Sequence, residues 1–237
     1  MPFPILPYVA IQDGLSQSTK SMMAEMKAME VHSKNIAHFG IPGYQGQKTV
    51  RRRFVEHLGP ETVESVTNIN VGRLRNTGNP LDMALTAEGY FQVQSPKTGI
   101  TNLSRDGRAS IDKEGYLRTL EGQLFLDVNG QTLRFGTIPR NADKEVKIDP
   151  DGSICHIDLN RRAITQKIGQ LGIVSANQQP LKKATVAQGY VEESNVMLAE
   201  EFTAMMPLRR QFEANRQFFL IQSDGLSRLI QELGRAQ

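Results

Sequence analysis

Apolar side chains recur at helical spacing over about residues 8–39. They stand three, four or seven positions apart, on one stripe of an α-helix: Ile11, Leu15, Met22, Met26, Met29 and Ile36. Gly40 and then Pro42 follow, and glycine just past a helix end with proline beyond it is a common stop signal. Because the stripe is narrow, it predicts a seam for one or two other helices rather than the wide face of a core helix.

A second helical pattern runs from about Asn195 to the end of the sequence. Its apolar positions keep the same spacing: Leu198, Phe202, Met205, Phe212, Phe219, Leu226, Ile230 and Leu233. Ser194 and Asn195 are favourable N-cap residues, and the acidic Glu200 and Glu201 fall near the first turns, where the helix dipole favours them. Pro207 is expected to kink or divide this helix.

Strand patterns fill the middle of the chain, about residues 44–190. Residues 90–94 (YFQVQ) alternate apolar and polar side chains, as a half-buried strand does. Short apolar runs are separated by turn dipeptides: Asp106-Gly107, Glu114-Gly115, Glu121-Gly122, Asn129-Gly130 and Asp151-Gly152. Asp-Gly and Asn-Gly accept the positive φ that tight turns need, so they predict antiparallel hairpins.

These patterns together predict an α+β fold in three parts. Residues 1–43 form an N-terminal seam helix, residues 44–190 a mainly β, hairpin-rich antiparallel module, and residues 191–237 a C-terminal seam helix. Enzymes rarely carry their longest apolar stripes at the two chain ends. The layout therefore favours a protein that assembles through its ends.

Composition narrows the class of protein further. No apolar run reaches the roughly 18 residues that a membrane-spanning helix needs. The first seven residues, MPFPILP, contain three prolines and no basic residue, so we expect no cleavable signal peptide. The net charge of +3 is too small to demand a polyanionic partner, and the single cysteine, Cys155, excludes an intramolecular disulfide.

Candidate chemistry is sparse, so we expect no cofactor, no metal and no small-molecule substrate. The four histidines, at positions 32, 38, 57 and 156, lack zinc-ligand spacing with one another or with Cys155. Residues 149–152 (DPDG) resemble part of a calcium loop, but Asn160 stands where the loop's last glutamate should be. A hairpin turn is the preferred interpretation of that segment. Glycine-rich phosphate loops do not occur.

Two other classes of function remain as remote alternatives. The basic run Arg51, Arg52 and Arg53, next to Phe54, is compatible with a nucleic-acid contact, although such runs are usually solvated. An uncharacterised enzyme on a β scaffold would need a concave site that gathers perturbed titratable groups. We expect neither a nucleic-acid partner nor catalysis.

Several segments resemble one family, the flagellar basal-body rod and hook proteins. Residues 76–85 (NTGNPLDMAL) and 88–93 (EGYFQV) resemble the T-G-x-P-L-D-x-A and G-[FY]-F-x-V motif of that family, which is the most specific match. Residues 35–37 (NIA) with Pro42-Gly43 resemble its N-terminal signature. The matches follow the family order, although Ile41 and Ala87 replace the usual threonine and glycine.

Further matches lie toward the C-terminus. Residues 104–107 (SRDG) resemble the hairpin motif, residues 188–196 (QGYVEESNV) the entry to the last helix, and residues 210–215 (RQFEAN) a motif inside that helix. The start is more proline-rich than the family pattern, and Pro207 lies within the last helix.

The resemblance implies a non-enzymatic subunit of a periplasm-spanning axial rod. In such a rod the terminal helices pair as a coiled coil in an inner layer, the β module packs outside, and the homo-oligomeric tube transmits torque to the hook. Implied partners are other rod and hook-family subunits and the flagellar type III export apparatus. With 237 residues there is no room for the extra domain of hook proteins. The short middle and residues 169–174 (GQLGIV) look more like a proximal than a distal rod subunit.

Two sets of residues are predicted to carry this role. The assembly interface is predicted at Leu15, Met22, Met26, Met29, Asn35, Ile36, Ser194, Asn195, Phe202, Phe212, Phe219, Leu226 and Leu233. The fold motif is predicted at Gly78, Pro80, Leu81, Asp82, Gly89, Phe91, Asp106 and Gly107. In the second set, Gly78 is expected to adopt a backbone shape that only glycine takes easily, and Asp82 to bond nearby backbone amides.

Overall fold

The computed structural model describes residues 6–52, 62–136, 145–158, 163–181 and 185–235. Within them the chain forms two compact units. The helical unit takes in the described residues of 1–37, 47–67 and 197–237, and the β unit those of 38–46 and 68–196. The β-rich, antiparallel middle and the two terminal helices confirm the predicted α+β class.

The described elements begin and end as follows. The helices are α1 (Leu6–His38) and α2 (Leu198–Arg235). The strands of the helical unit are β1 (Gln47–Arg52) and β2 (Thr62–Thr67). The strands of the β unit are β3 (Leu74–Asn76), β4 (Met83–Leu85), β5 (Tyr90–Gln94), β6 (Thr101–Ser104), β7 (Ala109–Ile111), β8 (Leu117–Thr119), β9 (Leu124–Phe125), β10 (Val146–Ile148), β11 (Ser153–Asp158), β12 (Ala163–Gln170), β13 (Ile173–Val174), β14 (Val186–Gln188) and β15 (Tyr190–Glu192).

Helix α2 differs from its prediction at two points. Pro207 does not divide it, because the helix runs unbroken from Leu198 to Arg235. Ser194 and Asn195 do not cap it: the first turn closes on the Met197 carbonyl, which accepts from the N–H groups of Glu200 and Glu201. Glu200 and Glu201 do lie in the first turn, where their negative charges interact favourably with the helix dipole.

Strand β5 is the centre of the β unit. It pairs with β6, β9 and β13, and β9 continues the sheet through β8 to β7. Its exposure alternates as predicted, with Phe91 and Val93 fully buried. The ring of Phe91 packs edge-on against that of Phe125, with centroids 5.9 Å apart. Each such fully buried side chain stabilises the fold by about 1.5–3 kcal/mol.

The remaining strands close the β unit around this core. A second sheet has the order β10–β11–β12, and the late strands β14 and β15 pair with the early strands β4 and β3. All these pairs are antiparallel. The pairing of late with early strands brings the segment before α2 back to the start of the unit.

Four of the five predicted turn glycines adopt a positive φ. Gly115, Gly122, Gly130 and Gly152 lie between +77° and +86°. Residues 149–153 form the turn between β10 and β11, where the Ser153 N–H donates to the Asp151 carboxylate over 2.9 Å. Gly107 is the exception. It lies against the Met83 carbonyl oxygen, and a Cβ there would clash with it. The Asp106-Gly107 prediction was therefore wrong about the turn, since this glycine is needed for close approach.

Candidate functional site: the surfaces of the helical unit

Helix α2 buries one stripe with a regular three-four spacing. Its partly or fully buried side chains stand at Glu201, Met205, Leu208, Phe212, Asn215, Phe219, Gln222, Leu226 and Leu229. This is the spacing of a coiled-coil seam, which keeps one side of a helix against a partner. The predicted Phe212, Phe219 and Leu226 lie on the stripe, half-buried. The side chain of Leu233 lies outside the described residues.

Helix α1 buries a stripe of a different character. Next to the buried Val31, its residues keep the same three-four spacing but are small or polar: Gly14, Ser18, Ser21, Glu25, Ala28, His32 and Asn35. Hydrophobicity could not reveal them, because none is a large apolar residue. The predicted Leu15, Met22, Met29 and Ile36 lie one position further along each turn and are half-buried, and Met26 is 56% exposed.

Side chains of α1 and α2 meet at three levels. Glu25 Oε1 accepts from Asn215 Nδ2 over 2.8 Å. Near the start of α1, a Cβ at Gly14 would clash with the Gln222 amide, so glycine makes room for it. His32 Nδ1 lies 2.5 Å from Glu201 Oε2. Successive contacts pair earlier residues of α1 with later residues of α2, so the two helices are antiparallel.

Asn35 joins three segments of the helical unit. Its Nδ2 donates to the Gln47 carbonyl over 2.8 Å and to Glu201 Oε1 over 2.9 Å, and its Oδ1 accepts from the Gln47 N–H over 2.8 Å. The side chain is 1% exposed. The Asn35 side chain therefore bonds both backbone groups of Gln47, as a residue of a neighbouring strand would. Glu201 in turn hydrogen-bonds both Asn35 and His32.

The outer faces of the helical unit carry the large apolar side chains. Those exposed are Met23, Met26, Val50, Val66, Met197, Phe202, Met206, Phe218, Leu220, Ile221 and Ile230. Ile221 is the most exposed of them, at 70%. Among the described side chains of this unit, by contrast, the buried ones include Ser18, Glu25 and Asn35 and only a few apolar residues. The unit therefore buries several polar side chains in its seam and leaves many large apolar side chains in solvent.

The predicted Ser194 and Asn195 lie in the β unit, where Asn195 acts as a connector. Its Nδ2 donates to the carbonyls of Asn68 and Asn70, each over 2.8 Å, and its Oδ1 accepts from the Gly46 N–H over 2.8 Å. Ser194 Oγ accepts from the Val196 N–H over 3.2 Å. Both residues are half-buried.

Four of the fold-motif residues, Gly78, Pro80, Leu81 and Asp82, lie at one tight turn before β4. Gly78 has φ +70°, as predicted, and Leu81 is buried while Pro80 is half-buried. Asp82 accepts from Thr77 Oγ1 over 2.6 Å and from Asn79 Nδ2 over 2.9 Å. The side chain of Asp82 thus bonds two side chains, not the backbone amides that were expected. Gly89 has φ +145° and Phe91 is buried.

An ion pair that no prediction included lies inside the β unit. Arg105 and Glu192 have side chains 1% and 2% exposed, with Arg105 Nη2 2.6 Å from Glu192 Oε2. Arg105 Nη1 also donates to the carbonyls of Ala87 and Gly89. Glu192 Oε1 accepts from the Gly72 N–H over 2.8 Å. Each partner lies in a family motif, Arg105 in SRDG and Glu192 in QGYVEESNV, but neither motif indicated that the two residues pair.

A surface ion pair follows directly along the chain. Arg108 Nη2 lies 2.6 Å from Asp106 Oδ2. The hydrogen bonds to Asp106 raise the pKa of Arg108 above its usual value, against the opposing effect of burial. Asp106 therefore holds the strand entry after Gly107 in place.

Signals for other functions are weak in the described part of the chain. It contains no group of three metal-binding side chains and no helix long and apolar enough to cross a membrane. The side chains of Arg51 and Arg52, and all of Arg53, lie outside the described residues, so the nucleic-acid alternative stays a prediction.

Comparison with known proteins decides the family. Residues 84–176 match the family described as "Flagellar hook protein FlgE/F/G D1 domain", and residues 187–231 match "Flagellar basal body rod FlgEFG protein C-terminal". The chain belongs to the flagellar basal-body rod and hook protein family. Rod and hook proteins are flagellar structural proteins and are not known as enzymes.

Similar rod proteins come from several bacteria. The flagellar basal-body rod protein FlgF of Mesorhizobium japonicum is 28% identical, over 86% of this chain and 90% of that protein. FlgF of Rhizobium meliloti is 24% identical, over 94% and 99%. The rod protein FlgG of Bacillus subtilis is 30% identical, over 66% of each chain. This family membership implies a place in the flagellum and assembly with other flagellar subunits.

Proposed function

We propose that this chain polymerises into the axial tube of the flagellar rod, through the outer faces of its helical unit, and transmits torque along it. The carrying observation is the set of large apolar side chains that this unit leaves in solvent, including Phe218 and Ile221, while the polar Glu25 and Asn35 are buried. Many large apolar side chains exposed on one folded unit are typical of an interaction surface. A polymer of identical subunits would bury this surface many times over.

Within such a tube, α1 and α2 would pair as a coiled coil in the inner layer. The three-four spacing on both helices and their three levels of side-chain contact support this pairing. Leu15, Met22, Met29 and Ile36 are half-buried beside the seam, which suits contact with a helix of a neighbouring subunit.

The position in the rod and the route out of the cell belong to the same proposal. We favour a proximal over a distal rod subunit, because the middle of the chain is short and residues 169–174 (GQLGIV) look more like the proximal kind. Export would use the flagellar type III apparatus, which membership in the rod and hook family supports.

The test is a charge on the outer face of α2. In a strain that lacks the protein, Ile221→Glu should abolish motility and leave basal bodies without a complete rod, because a carboxylate would be buried at every subunit contact. The purified variant should melt like the wild type, since Ile221 is exposed. Gln217→Glu, an exposed change on the same helix, is the matched control and should restore motility. Normal rods from Ile221→Glu would contradict the proposed surface.

A further inference from the structure

Charged or amide side chains occupy several positions of the seam between α1 and α2. At such positions apolar side chains would usually hold two helices together. Glu25 meets Asn215, and Glu201 meets His32 and Asn35. Replacing buried polar pairs by well-packed apolar residues is often neutral or stabilising. Single polar residues at seam positions instead restrict the register in which helices pair. We propose that Glu25, Asn215 and Glu201 determine the register of α1 against α2, an inference that rests on the proposed role of this unit in assembly.

The central level disfavours a slip in one direction. Glu25 is 6% exposed and accepts from Asn215. Slipping α2 by one heptad places either Leu208 or Gln222 opposite Glu25. Leu208 has no donor, so that slip removes the Asn215 hydrogen bond from the buried Glu25 carboxylate and puts an apolar side chain in its place. Gln222 could replace the lost donor, so Glu25 alone does not forbid the other slip.

The level near the C-terminal end of α1 disfavours both slips. The Glu201 side chain is bonded to His32 and Asn35, which lie six and three residues before the end of α1 at His38. The slip that brings Gln222 to Glu25 moves Glu201 beyond the end of α1. The opposite slip brings Glu201 to the level of Ala28, which offers no donor side chain. The two acids together therefore allow one register.

A fixed register matters for the outer faces of the unit. One heptad corresponds to a shift of about 10 Å along a helix. Such a slip would move Phe218 and Ile221 by that distance relative to Met23 and Met26 on α1. Neighbouring subunits that recognise both helices would then meet the wrong surface. The polar contacts in the seam thus keep the exposed side chains of α1 and α2 in a fixed position relative to each other.

Disulfide trapping in the full-length chain tests the proposal. In a Cys155→Ser background, the pair Gly14→Cys with Gln222→Cys reports the observed register, because these positions adjoin. The pair Gly14→Cys with Leu229→Cys reports a slip of one heptad. With the polar levels intact, the first pair should oxidise at least about tenfold faster than the second, a ratio that corresponds to about 1.4 kcal/mol.

The decisive variant makes the seam apolar with Glu25→Leu, Asn215→Leu and Glu201→Leu. We expect the two oxidation rates to come within about threefold of each other, with the observed pair still forming. The matched control, Glu25→Gln with Glu201→Gln, keeps amide oxygens as acceptors and should keep the tenfold preference. An unchanged preference in the apolar variant, loss of both crosslinks, or loss of preference in the control would each overturn the proposal.

This readout is independent of rod assembly. Register preference in the purified chain together with normal rods from Ile221→Glu would reject the proposed assembly surface and leave the register inference standing. An unchanged preference in the apolar variant together with failed assembly of Ile221→Glu would reject the register inference and leave the proposed assembly surface standing.

Discussion

The two units of this chain distribute polar and apolar side chains differently. The β unit buries a continuous apolar cluster that includes Phe91, Phe125 and Phe135, and hydrogen bonds to backbone carbonyls surround its buried Arg105–Glu192 ion pair. The helical unit buries Ser18, Glu25 and Asn35, and leaves phenylalanine, isoleucine and methionine side chains in solvent. The first pattern stabilises a chain by itself, whereas the second leaves apolar surface for other chains.

The difference explains how one sequence can provide both a stable body and an adhesive surface. Apolar burial supplies the main stabilisation of a folded domain, and the β unit has it in full. Isolated helices gain little stability without a buried apolar face. The helical unit should therefore depend on assembly for much of its stability, while its polar seam selects how its helices meet.

The largest effect should come from a cavity in the β unit. Phe91→Ala should lower the free energy of unfolding by about 3–5 kcal/mol, because it removes a fully buried ring that packs on Phe125. Phe202→Ala, on the exposed face of α2, should change the stability of the purified chain by less than about 0.5 kcal/mol. Chemical denaturation of both variants checks the contrast, and equal losses would break it.

A loss of similar size is expected from the buried ion pair. Arg105→Ala should destabilise the β unit by about 3–5 kcal/mol, because it leaves the Glu192 carboxylate buried without its cation. The surface change Arg75→Ala is the matched control, since Arg75 pairs with Glu193 in solvent. Urea denaturation of the two variants should separate them clearly. Comparable stability would show that the pair at Arg105 contributes no more than a surface pair.

The turn before β4 should give an intermediate effect. Asp82→Ala should lower the free energy of unfolding by about 1–3 kcal/mol, because Thr77 and Asn79 lose their shared acceptor. Glu88→Ala, an exposed change nearby, should leave the melting temperature almost unaltered. A wild-type melting temperature for Asp82→Ala would mean that water replaces the lost carboxylate at no cost.

These contrasts show how far the sequence alone could reach. Period and turn chemistry predicted both helices, the alternation of β5 and the positive φ of Gly78, because each depends on local spacing or on one residue type. The α1 seam could not be predicted, because Gly14, Ser18 and Ala28 carry no hydrophobic signal. The Arg105–Glu192 pair joins positions 87 residues apart, and the grouping of the β1–β2 hairpin with the helices is equally non-local.

The smallest expected effect is a pH dependence at the β10–β11 turn. The Ser153 N–H, followed by its hydroxyl, lowers the pKa of Asp151 below its ordinary 3.8. Because the pKa is lower in the folded state, this carboxylate stabilises the β unit fully above about pH 4, and the stabilisation is lost as the pH falls through the folded value. Asp151→Asn should flatten that part of the acid unfolding curve, and an unchanged curve would contradict the assignment.

Labelling of Ile221→Cys in a Cys155→Ser background measures most directly whether the exposed apolar face of α2 is an assembly surface. In the purified chain a maleimide should react with this thiol freely, since Ile221 is 70% exposed. In basal bodies isolated from cells that carry the variant, the account predicts labelling at least about tenfold slower, and full labelling after denaturation. Equal labelling of the purified chain and the intact basal bodies would contradict it.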